Sequence, residues 1–196
     1  MKSSTTDLCG LAFDSQQKFT GGSTALGWEF QRMEAGQSCG VDKLTVRCGS
    51  KSIDILPTRG MGIWQAQDGD VRFGWDSPVT GPVHPMWVDV SEPSGLGWLD
   101  GFDEMLVRCG LSSNGAPEFD SNGQLIWPLH GRIANLPASQ LSVTIDETDG
   151  KITVRGTVLE NRFHFHRLRL ETTISMQVQS PEISISDCVA NLSDRP

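Results

Sequence analysis

The sequence predicts an all-β protein, an antiparallel β-sandwich. Three observations carry this. Short segments alternate apolar and polar residues with a period of two, so each strand turns one face to a core and the other to solvent. Two such segments flank a glycine-bearing loop of hairpin length. Helices find little room between them.

In chain order, residues 43–47 and 52–56 alternate. Residues 141–145 and 151–155 alternate on either side of Asp146-Glu147-Thr148-Asp149-Gly150, which makes them a hairpin. Residues 167–174 and 182–186 alternate again. Meandering strands of this kind pack as two layers. The single helical candidate lies within residues 99–111, around Asp103-Glu104-Met105-Leu106, with Gly101 and Gly110 at its ends. Residues 74–136 are interrupted throughout by proline and glycine, which break ladders and helices alike. Irregular segments that long are functional loops or disorder. Disordered segments are poor in aromatics, and this one is rich in tryptophan.

The chain of 196 residues reads as one domain over residues 1–196. Its net charge of −8 argues against a nucleic-acid partner, which requires a basic face. No run of 18 apolar residues suggests a membrane span, and Met1 to Asp7 lacks the apolar core of a secretory signal. A cytoplasmic protein is expected. The five cysteines are odd in number and none has C-x-x-C spacing, so zinc and thioredoxin-like sites are disfavoured. In a reducing compartment they are expected to be small buried hydrophobes.

Five of the six tryptophans lie between Trp64 and Trp127, and there is no tyrosine. An indole offers a flat apolar face and one N–H donor, which suits the C–H faces of sugars. The alternative is that these rings are simply large core residues. Trp64 and Trp75 are candidate platforms. His130, in Trp127-Pro128-Leu129-His130-Gly131-Arg132-Ile133-Ala134-Asn135, is the acid/base candidate. Gly131 allows close approach of a ligand, and Arg132 offers a fork of donors. The competing reading is a structural histidine. Arg59, between an apolar strand end and Gly60-Met61-Gly62, is a candidate ligand contact or an exposed strand-end arginine. Asp103, Glu104 and Arg108 suit hydroxyl recognition; on a helix, Glu104 and Arg108 would instead form an i,i+4 surface pair. On a strand, His164 and His166 would share one face and could chelate a metal, and with Glu171 they resemble part of a cupin metal motif. The motif's glycines and second histidine block are missing, so no metal and no cofactor are expected.

Three blocks carry a family resemblance: Leu56-Pro57-Thr58-Arg59-Gly60-Met61-Gly62-Ile63; Gly101-Phe102-Asp103-Glu104-Met105-Leu106-Val107-Arg108-Cys109-Gly110-Leu111; and Pro128-Leu129-His130-Gly131-Arg132-Ile133-Ala134-Asn135-Leu136-Pro137-Ala138. Together they resemble the domain-of-unknown-function 4432 family, a relative of the galactose mutarotases, or aldose 1-epimerases. The resemblance implies the mutarotase-like supersandwich, of which this chain would be the N-terminal half, incomplete at its C-terminus. It implies a sugar or sugar derivative as the small-molecule partner. It also implies acid/base interconversion of anomers, in which a carboxylate base takes the anomeric proton while a histidine protonates the ring oxygen. His130 matches the histidine that lines the sugar site, and Arg59 and Arg132 match positions suited to sugar hydroxyls. The second histidine and the catalytic glutamate of that family have no counterpart before Pro196. The alternatives are a binding module of the same fold without chemistry and, ranked behind it, a cupin-like metalloprotein using His164, His166 and Glu171.

Overall fold

The structure is a computed structural model that describes residues 3–9, 11 and 18–194. Thirteen strands follow in order: β1 (Ser3–Asp7), β2 (Lys18–Gly22), β3 (Leu26–Arg32), β4 (Asp42–Cys48), β5 (Lys51–Leu56), β6 (Gly62–Asp68), β7 (Val71–Phe73), β8 (Glu118–Phe119), β9 (Leu125–Trp127), β10 (Ala138–Asp146), β11 (Lys151–Arg162), β12 (His166–Gln177) and β13 (Ile183–Asn191). A five-stranded sheet runs β1-β10-β11-β12-β13 and a six-stranded sheet runs β2-β3-β4-β5-β6-β7. Neighbouring strands in both are antiparallel. A two-stranded ribbon, β8-β9, decorates the long connection between the sheets.

The period-two segments fall in β4, β5, β10, β11, β12 and β13. The hairpin forms with Asp146 opposite Lys151. Core-facing residues alternate as expected: Leu141, Val143 and Ile145 on β10, Ile152, Val154 and Val158 on β11, Leu170, Ile174 and Met176 on β12. They meet Trp28, Phe30, Leu44, Val46, Ile53 and Ile55 of the other sheet. This is a two-layer sandwich driven by apolar burial. None of the described helical turns is long and apolar enough to cross a membrane.

Three expectations are corrected. Residues 99–111 hold no α-helix. A 3₁₀ turn at Gly97–Gly101 ends where the chain becomes extended, and Leu106 then exchanges both backbone hydrogen bonds with Ile63 at 2.9 Å. Sheet pairing outcompetes a short, glycine-bracketed helix, which is marginal alone. Of the cysteines, only Cys48 is buried; Cys9, Cys39, Cys109 and Cys188 are exposed. They sit on loops or on outward or edge positions, where strand parity rather than residue type decides burial. Finally, His164 and His166 do not share a strand face. His164 takes the turn between β11 and β12 with φ 64°, whereas His166 opens β12 and points Nε2 at Glu160, 3.5 Å away. Glu171 has the opposite parity on β12. No cluster of metal ligands forms among the described residues.

Candidate functional site

The connection from β7 to β10 folds into a surface built around aromatic rings. Trp98, on the 3₁₀ turn, is buried, and its ring centroid lies 4.8 Å from Phe102 and 4.8 Å from His130. Phe102 lies 4.9 Å from Trp75. The four rings form a row, tilted or edge-on as aromatic quadrupoles prefer. Trp75 donates its indole N–H to the Glu104 carbonyl at 3.2 Å yet stays 40 % exposed. Trp64 is half-buried, with the Lys43 ammonium 5.9 Å over its ring.

His130 ends this row, half-buried, with φ 53°. The left-handed region is costly for a side chain with a Cβ and persists where the surroundings over-determine it, commonly at functional sites. The surroundings do so here. The His130 N–H donates to Gly115 O and its carbonyl accepts from Gly110 N–H, both at 2.9 Å. Nδ1 lies 3.4 Å from Asn114 Oδ1. Gly131 is required beside it, because a Cβ there would sit 2.3 Å from Gly110 O and 2.5 Å from Ser113 O. Arg132 is exposed and donates from Nη2 to Ser91 Oγ at 3.2 Å.

Arg59, Asp103 and Glu104 are brought together, but not as an open ligand rim. Arg59 is 1 % exposed and donates from Nε to Glu104 Oε1 at 2.8 Å. Its other nitrogens donate to Asn135 Oδ1 at 2.6 Å and to Gly101 O at 2.7 Å. Glu104 is sealed with it. The pair ties the turn after β5 to the segment after the 3₁₀ turn and to Asn135, forming an internal brace. Arg108 does not pair with Glu104, because the segment is extended. Instead its guanidinium reaches across to the five-stranded sheet, donating to Thr172 Oγ1 at 2.8 Å and to the Asp187 carboxylate. Thus Arg59, Glu104 and Arg108, expected as ligand contacts, are buried in this structure and engaged with other parts of the chain.

Asp103 is also buried, wedged against Gly81, where a Cβ would come 1.9 Å from Oδ2. Its Oδ1 has no hydrogen-bond partner among the described residues. Burial, and then the neighbouring Glu104 charge, push its carboxyl up to about 7, against the pull of Arg59 and the Trp64 indole. The folded state therefore holds a proton that the unfolded chain has lost between about pH 4 and 7. This contribution to stability is full below pH 4 and is lost as pH rises through 7, at roughly 1.4 kcal/mol per pH unit within that window. Asp103→Asn should flatten the decline. Denaturation midpoints measured from pH 4 to 8 check this, and an unchanged slope would show that Asp103 is ionised throughout.

Sequence reasoning passed over Phe102, Asn114 and Asn135. Asn135 stood in the same block as His130, and Phe102 stood beside Asp103; only their contacts reveal their parts.

The fold and this site define a mutarotase-like antiparallel sandwich with an aromatic and histidine-bearing surface. The chain belongs to the domain-of-unknown-function 4432 family, which matches residues 38–196. No curated protein matches it. Among solved structures, a Klebsiella pneumoniae protein provisionally named an aldose 1-epimerase superposes with a TM-score of 0.87 at 30 % identity. That likeness covers 98 % of this chain and 52 % of the other, so this chain spans about half of that protein's length.

Proposed function

We propose that this protein binds a sugar and serves the interconversion of its anomers, as an aldose 1-epimerase does. The observation that carries this reading is the row Trp75–Phe102–Trp98–His130. It links an exposed indole at one end, through Phe102 and the buried Trp98, to an imidazole at the other end whose backbone is held at φ 53°. In this reading Trp75 and Trp64 offer faces for the C–H surface of the sugar or sugar derivative, and at the far end of the row His130 is the general acid and Arg132 takes a hydroxyl. Asp103, Glu104, Arg59 and Arg108 hold the surface from below. The name of the Klebsiella protein agrees with this class of ligand.

Saturation-transfer NMR with D-galactose and D-glucose tests binding, and exchange spectroscopy between α and β anomers tests chemistry. Binding with accelerated exchange supports the epimerase reading. Binding without exchange leaves a sugar-binding module of the same fold, and no binding overturns both. Trp75→Ala should weaken sugar affinity about tenfold, a loss of stacking worth roughly 1.4 kcal/mol. Its denaturation midpoint should barely move, because the ring is partly exposed already. Unaltered affinity in titrations, or a large loss of stability, would return Trp75 to a packing role.

A further inference from the structure

Glu160 lies on β11 and is 3 % exposed, on the core-facing side of the five-stranded sheet. Its carboxylate is aimed at the segment following Arg108. Oε2 accepts from Leu111 N–H at 2.8 Å, and Oε1 accepts from the Ser112 hydroxyl and from Ser112 N–H at 3.4 Å. Those bonds pin residues 110–113 to the sheet. The same segment grips His130 from both sides. Gly110 N–H donates to His130 O and Gly115 O accepts from His130 N–H, while Gly110 O accepts from Arg132 N–H at 3.0 Å and Ile133 N–H at 3.1 Å. The buried carboxylate and the left-handed histidine are thus linked through the covalent backbone of the 110–115 segment, which is hydrogen-bonded to Glu160 at Leu111 and Ser112 and to His130 at Gly110 and Gly115.

We infer that Glu160 is a positioning residue for His130. It holds the imidazole against Trp98 by anchoring the 110–115 segment, without touching a ligand itself. Backbone donors to a buried carboxylate are charge-assisted and stronger than neutral hydrogen bonds, so this anchor is stiff. The inference rests on the reading of His130 as the residue that faces the sugar, but its first test needs no sugar.

The His130 ring protons, identified by their loss in a His130→Asn spectrum, should carry a ring-current shift from Trp98. In Glu160→Ala, that shift should collapse toward the position of a free histidine, while the methyl signals of Val154 and Ile174 stay in place. Glu160→Gln keeps one acceptor and should give an intermediate shift. If Glu160→Ala does not fold, Ser112→Ala, which removes only the hydroxyl bond, should displace the same signals by a smaller amount. Unmoved His130 signals in the folded variants overturn the inference. Sugar turnover in Glu160→Gln should fall up to roughly 10²-fold, the scale set by an ångström of misplacement. If the signals move and the wild type binds no sugar, the positioning stands and the sugar reading falls.

Discussion

Arg59→Met should cost about 3–5 kcal/mol of folding stability, the usual penalty for removing one partner of a buried ion pair. The reason lies in depth. Arg59 and Glu104 have side-chain exposures of 1 % and 0 %, and 2.8 Å separates Nε from Oε1. Without the guanidinium, the Glu104 carboxylate is left in the interior with no counter-charge, and the Gly101 carbonyl and Asn135 Oδ1 lose their donors. Leaving buried acceptors unmatched costs more than the intact bonds contribute. Tryptophan-detected urea denaturation measures this directly. Adding Glu104→Gln to Arg59→Met should recover a large part of the loss, since neighbours in one network are not additive. A loss under about 1 kcal/mol, with sugar affinity abolished, would instead make Arg59 a direct ligand contact and refute the brace.

That contrast shows what sequence patterning can and cannot convey. The hairpin of β10 and β11 was legible because each strand buries one face, and a half-buried strand writes its orientation into alternate residues. β1, Ser-Ser-Thr-Thr-Asp, wrote nothing of the kind. It is an exposed edge strand held by backbone pairing to β10 and by a Thr5–Thr144 hydroxyl contact at 2.8 Å. β3 was equally silent, because Leu26, Gly27 and Trp28 are all buried in succession. The short helix expected around Asp103 failed because its competitor, pairing with β6, depends on residues some 40 positions earlier.

The blocks around Arg59, Asp103 and His130 meet in space, where Arg59 bonds Glu104 of the second and Asn135 of the third. Their orientation was not legible. Whether a charged side chain faces solvent or a buried partner depends on an opposite charge that arrives from elsewhere in the chain. Glu104 reaches Arg59 across 45 residues, and Asp187 reaches Arg108 across 79. His130 was easier to find. A histidine directly before a glycine, among tryptophans in an irregular segment, already signals a backbone that departs from regular structure, and φ 53° is that departure.

His130→Asn should lower anomer exchange by about 10²–10⁴, the range that general acid–base catalysis supplies. Asparagine suits the test because it tolerates the left-handed backbone better than alanine does. The Gly110 and Gly115 hydrogen bonds should survive, and the variant should fold with its strands and core unchanged. Its amide can still hydrogen-bond but cannot carry a proton near neutral pH, so chemistry and binding separate. A fall in the exchange rate with sugar affinity within a few-fold places the proton transfer at His130. Equal losses in affinity and rate make the imidazole a hydroxyl contact, and the acid must then be sought on another residue. Unchanged rates would leave His130 as an edge-on packing partner of Trp98, with its left-handed backbone explained by its hydrogen bonds to Gly110 and Gly115 alone.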